Sequence, residues 1–111
     1  MPKTSATTSW QGYGQVDNYQ LSEAARGDLD ALYLYGILNH GLRQADLYYD
    51  GLIEKFETLS EHPDWGNDYG FIAPMLRRYE YRSHAIYYCP SAKGILIVRV
   101  LGGRQDPARD V

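Results

Sequence analysis

The sequence predicts an α+β fold, in which an N-terminal strand and an antiparallel hairpin of two helices pack on a small, twisted, mostly antiparallel sheet. Apolar residues recur with a helical period between residues 22 and 61 and with a strand period from residue 76 onward. Gly41 and Pro63 mark where each helical segment should end. The length of 111 residues suits one domain with its own core.

The beginning of the chain divides into an arm and a first helix. Residues 1–18 are rich in Ser, Thr, Gly and Gln, so we expect a flexible arm before a single domain over residues 19–111. Tyr19–Leu21 predicts a short strand, and Ser22 is a suitable N-cap for the helix. Gly41 suits its C-terminal end. The apolar side of this helix contains Ala25, Leu29, Leu32, Tyr33, Gly36 and Ile37.

A second helix follows almost at once and should end before Pro63. Its broad apolar stripe is typical of a helix that faces a core. Residues 61–70 are rich in turn-forming residues and connect the helix to the sheet. The stripe contains Ala45, Tyr48, Tyr49, Leu52, Ile53, Phe56 and Leu59.

Three strands are predicted at residues 76–82, 83–89 and 95–101, with residues 89–94 as a hairpin loop. In the last strand both faces are apolar, so one face can cover the helices while the other is open to a partner. Alternation places Leu96, Val98 and Val100 on one face, and Ile95, Ile97, Arg99 and Leu101 on the other. Tyr87 and Tyr88 must face opposite sides, so at most one of them contacts a partner.

Cysteine content and hydropathy limit the class of protein. The single cysteine, Cys89, cannot form an internal disulfide and has no Cys or His neighbours at metal-binding spacing. The sequence shows neither a signal peptide nor an apolar run of the roughly 20 residues that cross a bilayer. It contains no phosphate-binding loop. We therefore expect a cytoplasmic protein with no cofactor, no metal and no membrane contact.

Charge is divided unevenly along the chain, whose net charge is −3. Residues 1–74 carry 4 basic and 11 acidic side chains, whereas residues 75–111 carry 7 basic and 3 acidic ones. The basic C-terminal part either binds an acidic partner or neutralises the acidic helices of the same chain.

Basic side chains of the predicted sheet are candidates for binding a partner. Alternation places Arg78 and Arg82 on one face and Arg77 on the other, where each could bind a carboxylate or phosphate or pair with the helices. His84 fits a hydrogen-bonded structural role better than that of a base. No catalytic, cofactor-binding or metal-binding residue is predicted. The candidate binding residues are Arg77, Arg78, Arg82, His84, Tyr88, Arg99, Arg104 and Asp106.

Arg99 is a special case because it lies within an apolar strand. An unpaired guanidinium there is costly, so Arg99 requires a carboxylate partner. The partner could be Asp106 or an acidic residue of another protein. An internal salt bridge and a contact with a partner fit the sequence equally well.

Three stretches of the chain together resemble the ParE branch of the RelE/ParE toxin superfamily. They read YQLSEAARGDLDALYLYGI, LRQADLYYDGLIEKFETLSEHPDWG and LRRYEYRSHAIYYCPSAKGILIVRVLGGRQD, and they lie within residues 19–106. The most specific parts are the opening strand-to-helix phrase, the strand with His84, Ile86 and Tyr88, and the strand of residues 97–101 followed by Arg104 and Asp106.

The resemblance implies a RelE/ParE-like fold and a toxin of a type II toxin-antitoxin system. Toxins of the ParE type inhibit DNA gyrase by binding it and are not enzymes. The resemblance also implies a ParD-like antitoxin, whose ribbon-helix-helix region binds operator DNA and whose tail folds on the toxin. We accordingly expect a hetero-oligomer with this antitoxin, contact with operator DNA only through the antitoxin, and DNA gyrase as the target.

One position departs from the family pattern. Members commonly carry Leu-His-Gly-Arg after the last strand, whereas this chain reads Leu101-Gly102-Gly103-Arg104. The absence of that histidine removes a proton donor and argues against the alternative of a RelE-like ribosome-dependent mRNA endonuclease. The net charge of −3 argues against it as well. A third alternative is a non-toxic relic that only binds the antitoxin.

Overall fold

The computed structural model describes residues 18–111, in which two long helices pack on a five-stranded mixed sheet. The elements are β1 (Tyr19–Leu21), α1 (Glu23–His40), α2 (Leu42–Glu61), β2 (Asn67–Asp68), β3 (Arg77–Tyr81), β4 (His84–Ser91), β5 (Gly94–Gly102) and α3 (Pro107–Asp110). The strand order is β1-β5-β4-β3-β2, with only β1 and β5 parallel. This architecture confirms the predicted α+β fold. Apart from Asn18, the predicted arm lies outside the described residues.

Ser22 joins β1 to α1 and ties both to the sheet. Its hydroxyl oxygen accepts a hydrogen bond from the backbone N–H of Ala25 at 2.9 Å, as predicted for an N-cap. The same hydroxyl donates to the carbonyl oxygen of Val98 at 2.7 Å, and the backbone N–H of Ser22 donates to Ile97 at 3.0 Å. The start of α1 is therefore fixed against β5.

The two helices form a hairpin with Gly41 as its only linking residue. Gly41 has a φ of +87°, a conformation that favours glycine. Gly36 allows the helices to approach closely, because a Cβ there would lie 3.2 Å from the Cβ of Ala45. The turn and the close crossing keep both apolar stripes directed at one layer.

The main core lies between this hairpin and the sheet face that it covers, which we call the inner face. Tyr19 meets Phe56 edge to face, with ring centroids 5.5 Å apart. The predicted stripes of α1 and α2 supply the helical half of this core. Its buried members are Ala25, Leu29, Leu52, Phe56, Leu59, Ile86, Tyr88, Ile95, Ile97 and Val100.

A β-bulge in β5 changes which side chains face the helices. Ile97 and Arg99 pair with adjacent residues of β4, so Val98 is an extra residue without a partner in that strand. Val100 therefore joins the main core, and Leu101 packs on the outer face. The predicted alternation, with Val100 beside Leu96 and Val98 and with Leu101 beside Ile95 and Ile97, is wrong beyond the bulge.

Both hairpin turns of the sheet differ from the prediction: the first is longer, because the predicted strands 76–82 and 83–89 left no turn residue between them, and the second is shorter. Arg82 and Ser83 form the turn between β3 and β4, so neither belongs to a strand. The predicted loop of residues 89–94 is also wrong, because β4 continues through Pro90 to Ser91. This end of β4 pairs with β5 alone, and proline is found at such edge positions.

The outer face of the sheet carries a second, smaller core. The chain between β2 and β3 folds over this face, where Tyr69, Ile72 and Ala73 pack. The apolar face predicted to be open is thus partly covered by the chain itself. Its buried members are Leu76, Ala85, Tyr87 and Leu101, so Tyr87 and Tyr88 lie on opposite faces as predicted.

Tyr88 fixes the loop that follows α2. Its hydroxyl accepts a hydrogen bond from the backbone N–H of Gly66 and donates one to the carbonyl oxygen of Pro63, both at 2.8 Å. α2 ends before Pro63, as predicted. Arg77 also donates to the carbonyl oxygen of Gly66. Tyr88 and Arg77, two of the candidate binding residues, are therefore bound within the chain.

Replacing Tyr88 with phenylalanine should destabilise the protein by about 1–3 kcal/mol, because the change leaves the buried backbone N–H of Gly66 without its partner and also removes the bond to Pro63. Urea denaturation measures the effect. Tyr33→Phe is the matched control, since it removes an exposed hydroxyl bonded to Asp46 and should change stability by no more than about 0.5 kcal/mol. Equal stability of Tyr88→Phe and the unmodified protein would contradict this role.

Candidate functional site

Two concave surfaces meet at the turn between β3 and β4, and Ser83 and His84 line both. The outer concavity lies on the outer face of the sheet and has a volume of about 580 Å³. The hairpin cleft lies between the helices and the turn and has a volume of about 280 Å³. The outer concavity is also lined by Tyr69, Arg78, Glu80, Arg82, Tyr87, Gly102 and Gln105. The cleft is also lined by Leu32, Tyr35, Gly36, His40, Gln44, Ala45 and Tyr48.

Arg78 is held in place at the wall of the outer concavity. Its guanidinium carbon lies 5.6 Å from the ring centre of Tyr69 and 6.0 Å from that of Tyr87. Its Nε donates to the Tyr87 hydroxyl at 3.2 Å, and its Nη2 to Glu80 at 3.1 Å. Burial lowers the pKa of Arg78, but these hydrogen bonds outweigh burial and raise it overall. The group is a fixed cation in a mostly aromatic wall.

Arg82 occupies the turn in a conformation that does not suit its side chain. Its φ is +52°, in the left-handed region that favours glycine. The guanidinium carbon lies 5.6 Å from the ring centre of Tyr81, and among residues 18–111 no carboxylate pairs with it. Arg82 is thus an exposed cation at a position where glycine would be more stable.

His84 separates the two concave surfaces. Its Nδ1 lies 2.7 Å from the Tyr48 hydroxyl, which is also 3.2 Å from the hydroxyl of Ser83. Burial lowers the pKa of the imidazole below its ordinary value, while the charge of Asp28 opposes this change. The ring is therefore predominantly neutral near pH 7, which fits the hydrogen-bonded role predicted for it.

Gly102 lies beside His84. A Cβ at Gly102 would be 3.8 Å from Nε2 and Cδ2 of the imidazole. The backbone N–H of Gly102 is bound by the Gln105 side chain at 2.9 Å. The family position that commonly holds a histidine is thus next to His84, so this part of the concavity already has an imidazole from β4.

Arg99 lies away from both concave surfaces and binds α1. Its Nε and Nη2 donate to the two carboxylate oxygens of Asp28 at 2.8 and 2.7 Å. Nη1 donates to the carbonyl oxygen of Asp110. The hydrogen bonds to Asp28 raise the pKa of Arg99. The predicted carboxylate partner exists, but it is Asp28 and not Asp106, so the internal alternative is the one that the fold adopts.

The remaining two candidates lie in the loop after β5. Arg104 is exposed and makes no ion pair within residues 18–111. The Asp106 carboxylate accepts a hydrogen bond from the backbone N–H of Ala108 at 3.0 Å and caps the short α3. Asp106 is therefore engaged in a local turn, while Arg99 binds Asp28.

The outer concavity combines two arginines, a neutral imidazole and two tyrosine rings around one carboxylate, Glu80. This set can bind an acidic side chain or another anion. Among the described residues no cluster of His, Cys, Asp and Glu is arranged to hold a metal ion. No helix in residues 18–111 is long and apolar enough to cross a membrane.

Arg78, Arg82 and His84 are among the binding residues predicted from the sequence, and the structure places all three around one concavity. Sequence reasoning missed the groups that hold them, which are Tyr48, Tyr69 and Glu80. Glu80 could have been found from strand alternation, because it lies two residues from Arg78 on the same face. No local signal connects Tyr48 of a helix to His84 of a strand.

A family model described as the ParE toxin of the type II toxin-antitoxin system, parDE, matches residues 19–107. The chain belongs to the ParE toxin family. Toxin ParE1 of Caulobacter vibrioides is 32% identical over 83 residues, which are 75% of this chain and 85% of that protein. Toxin ParE3 of the same organism is 28% identical over 82 residues, which are 74% of this chain and 82% of that protein.

A solved structure has the same fold as this ParE-family toxin. It is described as the chromosomal ParDE TA system from P. aeruginosa, and the two chains superpose with a TM-score of 0.66. The alignment covers 76% of this chain and 92% of that one at 20% identity, so the likeness concerns the fold alone. The predicted identity as a toxin of a type II toxin-antitoxin system is confirmed by the family match.

Replacing Asp28 with alanine should destabilise the toxin by about 3 kcal/mol, because a largely buried Arg99 loses its carboxylate partner. Chemical denaturation followed by circular dichroism measures this loss. Glu80→Ala serves as the control, since it breaks an exposed ion pair worth less than about 1 kcal/mol. A loss in Asp28→Ala no larger than the control's would contradict the role given to this pair.

His84 should make stability depend on pH. The folded protein lowers its pKa, so below about pH 6.5 the unfolded chain binds a proton that the folded chain resists, and stability falls as the pH drops. Well above that pH neither the folded nor the unfolded chain protonates the imidazole, so His84 no longer makes stability depend on pH. His84→Gln should flatten the slope of unfolding free energy between about pH 7 and pH 5. The exposed residue His62 supplies the control His62→Gln, and the same slope in both variants would exclude His84 as the source.

Proposed function

We propose that this ParE-family toxin inhibits DNA gyrase by binding it, acts without cleaving RNA or DNA itself, and is neutralised by a ParD-like antitoxin whose tail folds on it. The observation that carries the proposal is the family match over residues 19–107, which spans both concave surfaces. Gyrase and the antitoxin are proteins of the cytoplasm, so we place the toxin there too.

The outer concavity supports binding to an acidic protein surface. Arg82 has no carboxylate partner among residues 18–111, and Arg104 is equally free of ion pairs there. The rings of Tyr69 and Tyr87 pack against the guanidinium of Arg78, whose charge is partly neutralised by Glu80. A partner carboxylate could form charge-assisted hydrogen bonds with the exposed guanidinium of Arg82.

The hairpin cleft supports binding to an apolar tail. It is lined by Leu32, Gly36 and Ala45 and by the tyrosines at positions 35 and 48. A segment that orders only on binding needs such a cavity to anchor a large side chain. The two concave surfaces share Ser83 and His84, so a tail lying across the turn could cover both.

A binding role for His84 is supported by its contacts. Its Nδ1 is engaged by Tyr48 at 2.7 Å, and the side chain beside it at residue 102 is absent. The nearest carboxylate in the concavity, Glu80, is paired with Arg78. General acid-base cleavage of a phosphodiester requires groups free to take up and release protons. His84 and Glu80 are both engaged in other contacts, so they fit binding better than catalysis.

Purified toxin should inhibit the supercoiling activity of gyrase, and Arg82→Gly should weaken this inhibition by at least about tenfold, as expected when an interfacial charge loses its partner. Glycine suits the φ of +52°, so the variant should be at least as stable as the unmodified protein. Lys93→Gln removes an exposed cation at the opposite end of β4 and is the matched control.

Four outcomes would oppose the proposal or a part of it. Intact supercoiling at saturating toxin would exclude gyrase inhibition, and new 5′ ends in translated messages would instead support the RelE-like endonuclease. Harmless expression together with antitoxin binding would identify a non-toxic relic. Equal losses in Arg82→Gly and Lys93→Gln would remove the outer concavity from the target interface.

A further inference from the structure

Helix α1 carries two apolar stripes, and the core uses only one of them. The first includes Ala25 and Leu29, which are buried against α2 and the sheet. The second, which we call the outer stripe, lies on the side of α1 away from that core. Its members are Ala24, Gly27, Ala31, Leu34 and Leu38, all of them exposed.

The spacing of the outer stripe is that of a helix-helix seam. Its members follow one another at intervals of 3, 4, 3 and 4 residues, the a and d positions of a heptad. Leu34 is 57% exposed and Leu38 is 75% exposed, although leucine is among the residues most often buried. A second helix laid along this seam would remove both leucines from water.

Gly27 has no reason within one chain to be glycine. A Cβ at this position would meet nothing within 4 Å, and the residue lies inside a regular helix. Glycine destabilises a helix interior relative to alanine, so we expect the absence of a side chain at Gly27 to favour a contact outside this chain. A neighbouring helix that approaches closely at Gly27 provides that use.

We propose that a second copy of this chain docks antiparallel along the outer stripe. In an antiparallel seam, an a position of one helix faces a d position of the other. The register that places Gly27 against Leu38 of the second copy also places Ala31 against Leu34 of the second copy. Each layer then pairs one small residue with one large residue, and two-fold symmetry repeats both layers.

Charge and helix dipoles fit the same arrangement. The register brings the N-terminal end of α1, with Glu23, beside the hairpin tip of the second copy, which carries His40 and Arg43. The dipoles of antiparallel helices attract each other. Asp30, which flanks the seam, comes opposite Ile37 of the second copy and meets no like charge.

The area available predicts a weak dimer. Leu34 and Leu38 are the large side chains that the outer stripe exposes, and its other members are small, so each copy contributes less than the roughly 800 Å² of a standard specific interface. Association should therefore depend on concentration. This inference does not rest on the proposed target or on the antitoxin.

The test is sedimentation velocity of the full-length toxin across a wide range of concentration. We expect a monomer-dimer equilibrium that Gly27→Leu weakens at least about tenfold, because two leucines now occupy one layer. Adding Leu38→Ala to Gly27→Leu exchanges the small and large partners and should restore the dimer. The control is Leu47→Ala, which truncates a leucine of α2 that is also 57% exposed but lies outside the stripe.

The melting temperature of each variant separates loss of the interface from loss of the fold. Gly27→Leu should not lower it, because leucine is the better helix former. A monomer at every concentration would overturn the proposal. So would dimerisation that Gly27→Leu leaves unchanged, or a monomer whose outer stripe is needed only for antitoxin binding.

Discussion

The ion pair between Asp28 and Arg99 is the contact on which the placement of the other elements depends. β1 covers the edge of β5 only as far as Ile97, so the backbone beyond it lacks a neighbouring strand. The Asp28 carboxylate accepts a hydrogen bond from the backbone N–H of Val100 at 2.9 Å and binds the guanidinium of Arg99 as well. One carboxylate thus satisfies an exposed sheet edge and a strand cation.

This pair also fixes the direction of the elements around it. Ser22, the N-cap of α1, binds β5 at the bulged residue Val98, and Asp28 within α1 binds it at Val100. Arg99 reaches the last turn of α3 through the Asp110 carbonyl oxygen. The N-terminal half of α1 is thereby fixed against β5 at two points.

Arg99 and Asp106 are engaged within the chain and do not contribute to a partner surface. Three other surfaces in the described part of the toxin are candidates for binding partners. The outer concavity offers cations, the hairpin cleft offers an apolar cavity, and the outer stripe offers leucines. Two of these surfaces break a local rule of stability. Arg82 sits where glycine is favoured, and Gly27 sits where alanine is favoured.

Much of the fold could be predicted from the sequence because the signals are local. The Ser22 cap, the stop at Gly41, the end of α2 before Pro63 and the two helical stripes each depend on a few neighbouring residues. Strand turns were harder, since the hydrogen bonds of a neighbouring strand decide how far β4 extends past Pro90.

The sequence by itself determined the fold class, the family resemblance and the set of arginines from which the outer concavity is built. Only the tertiary structure decided what each arginine does. Arg99 finds its carboxylate 71 residues away, and the bulge at Val98 sets which face Val100 and Leu101 occupy. Both outcomes depend on how helices and strands meet in space, and no local pattern of side chains encodes that meeting.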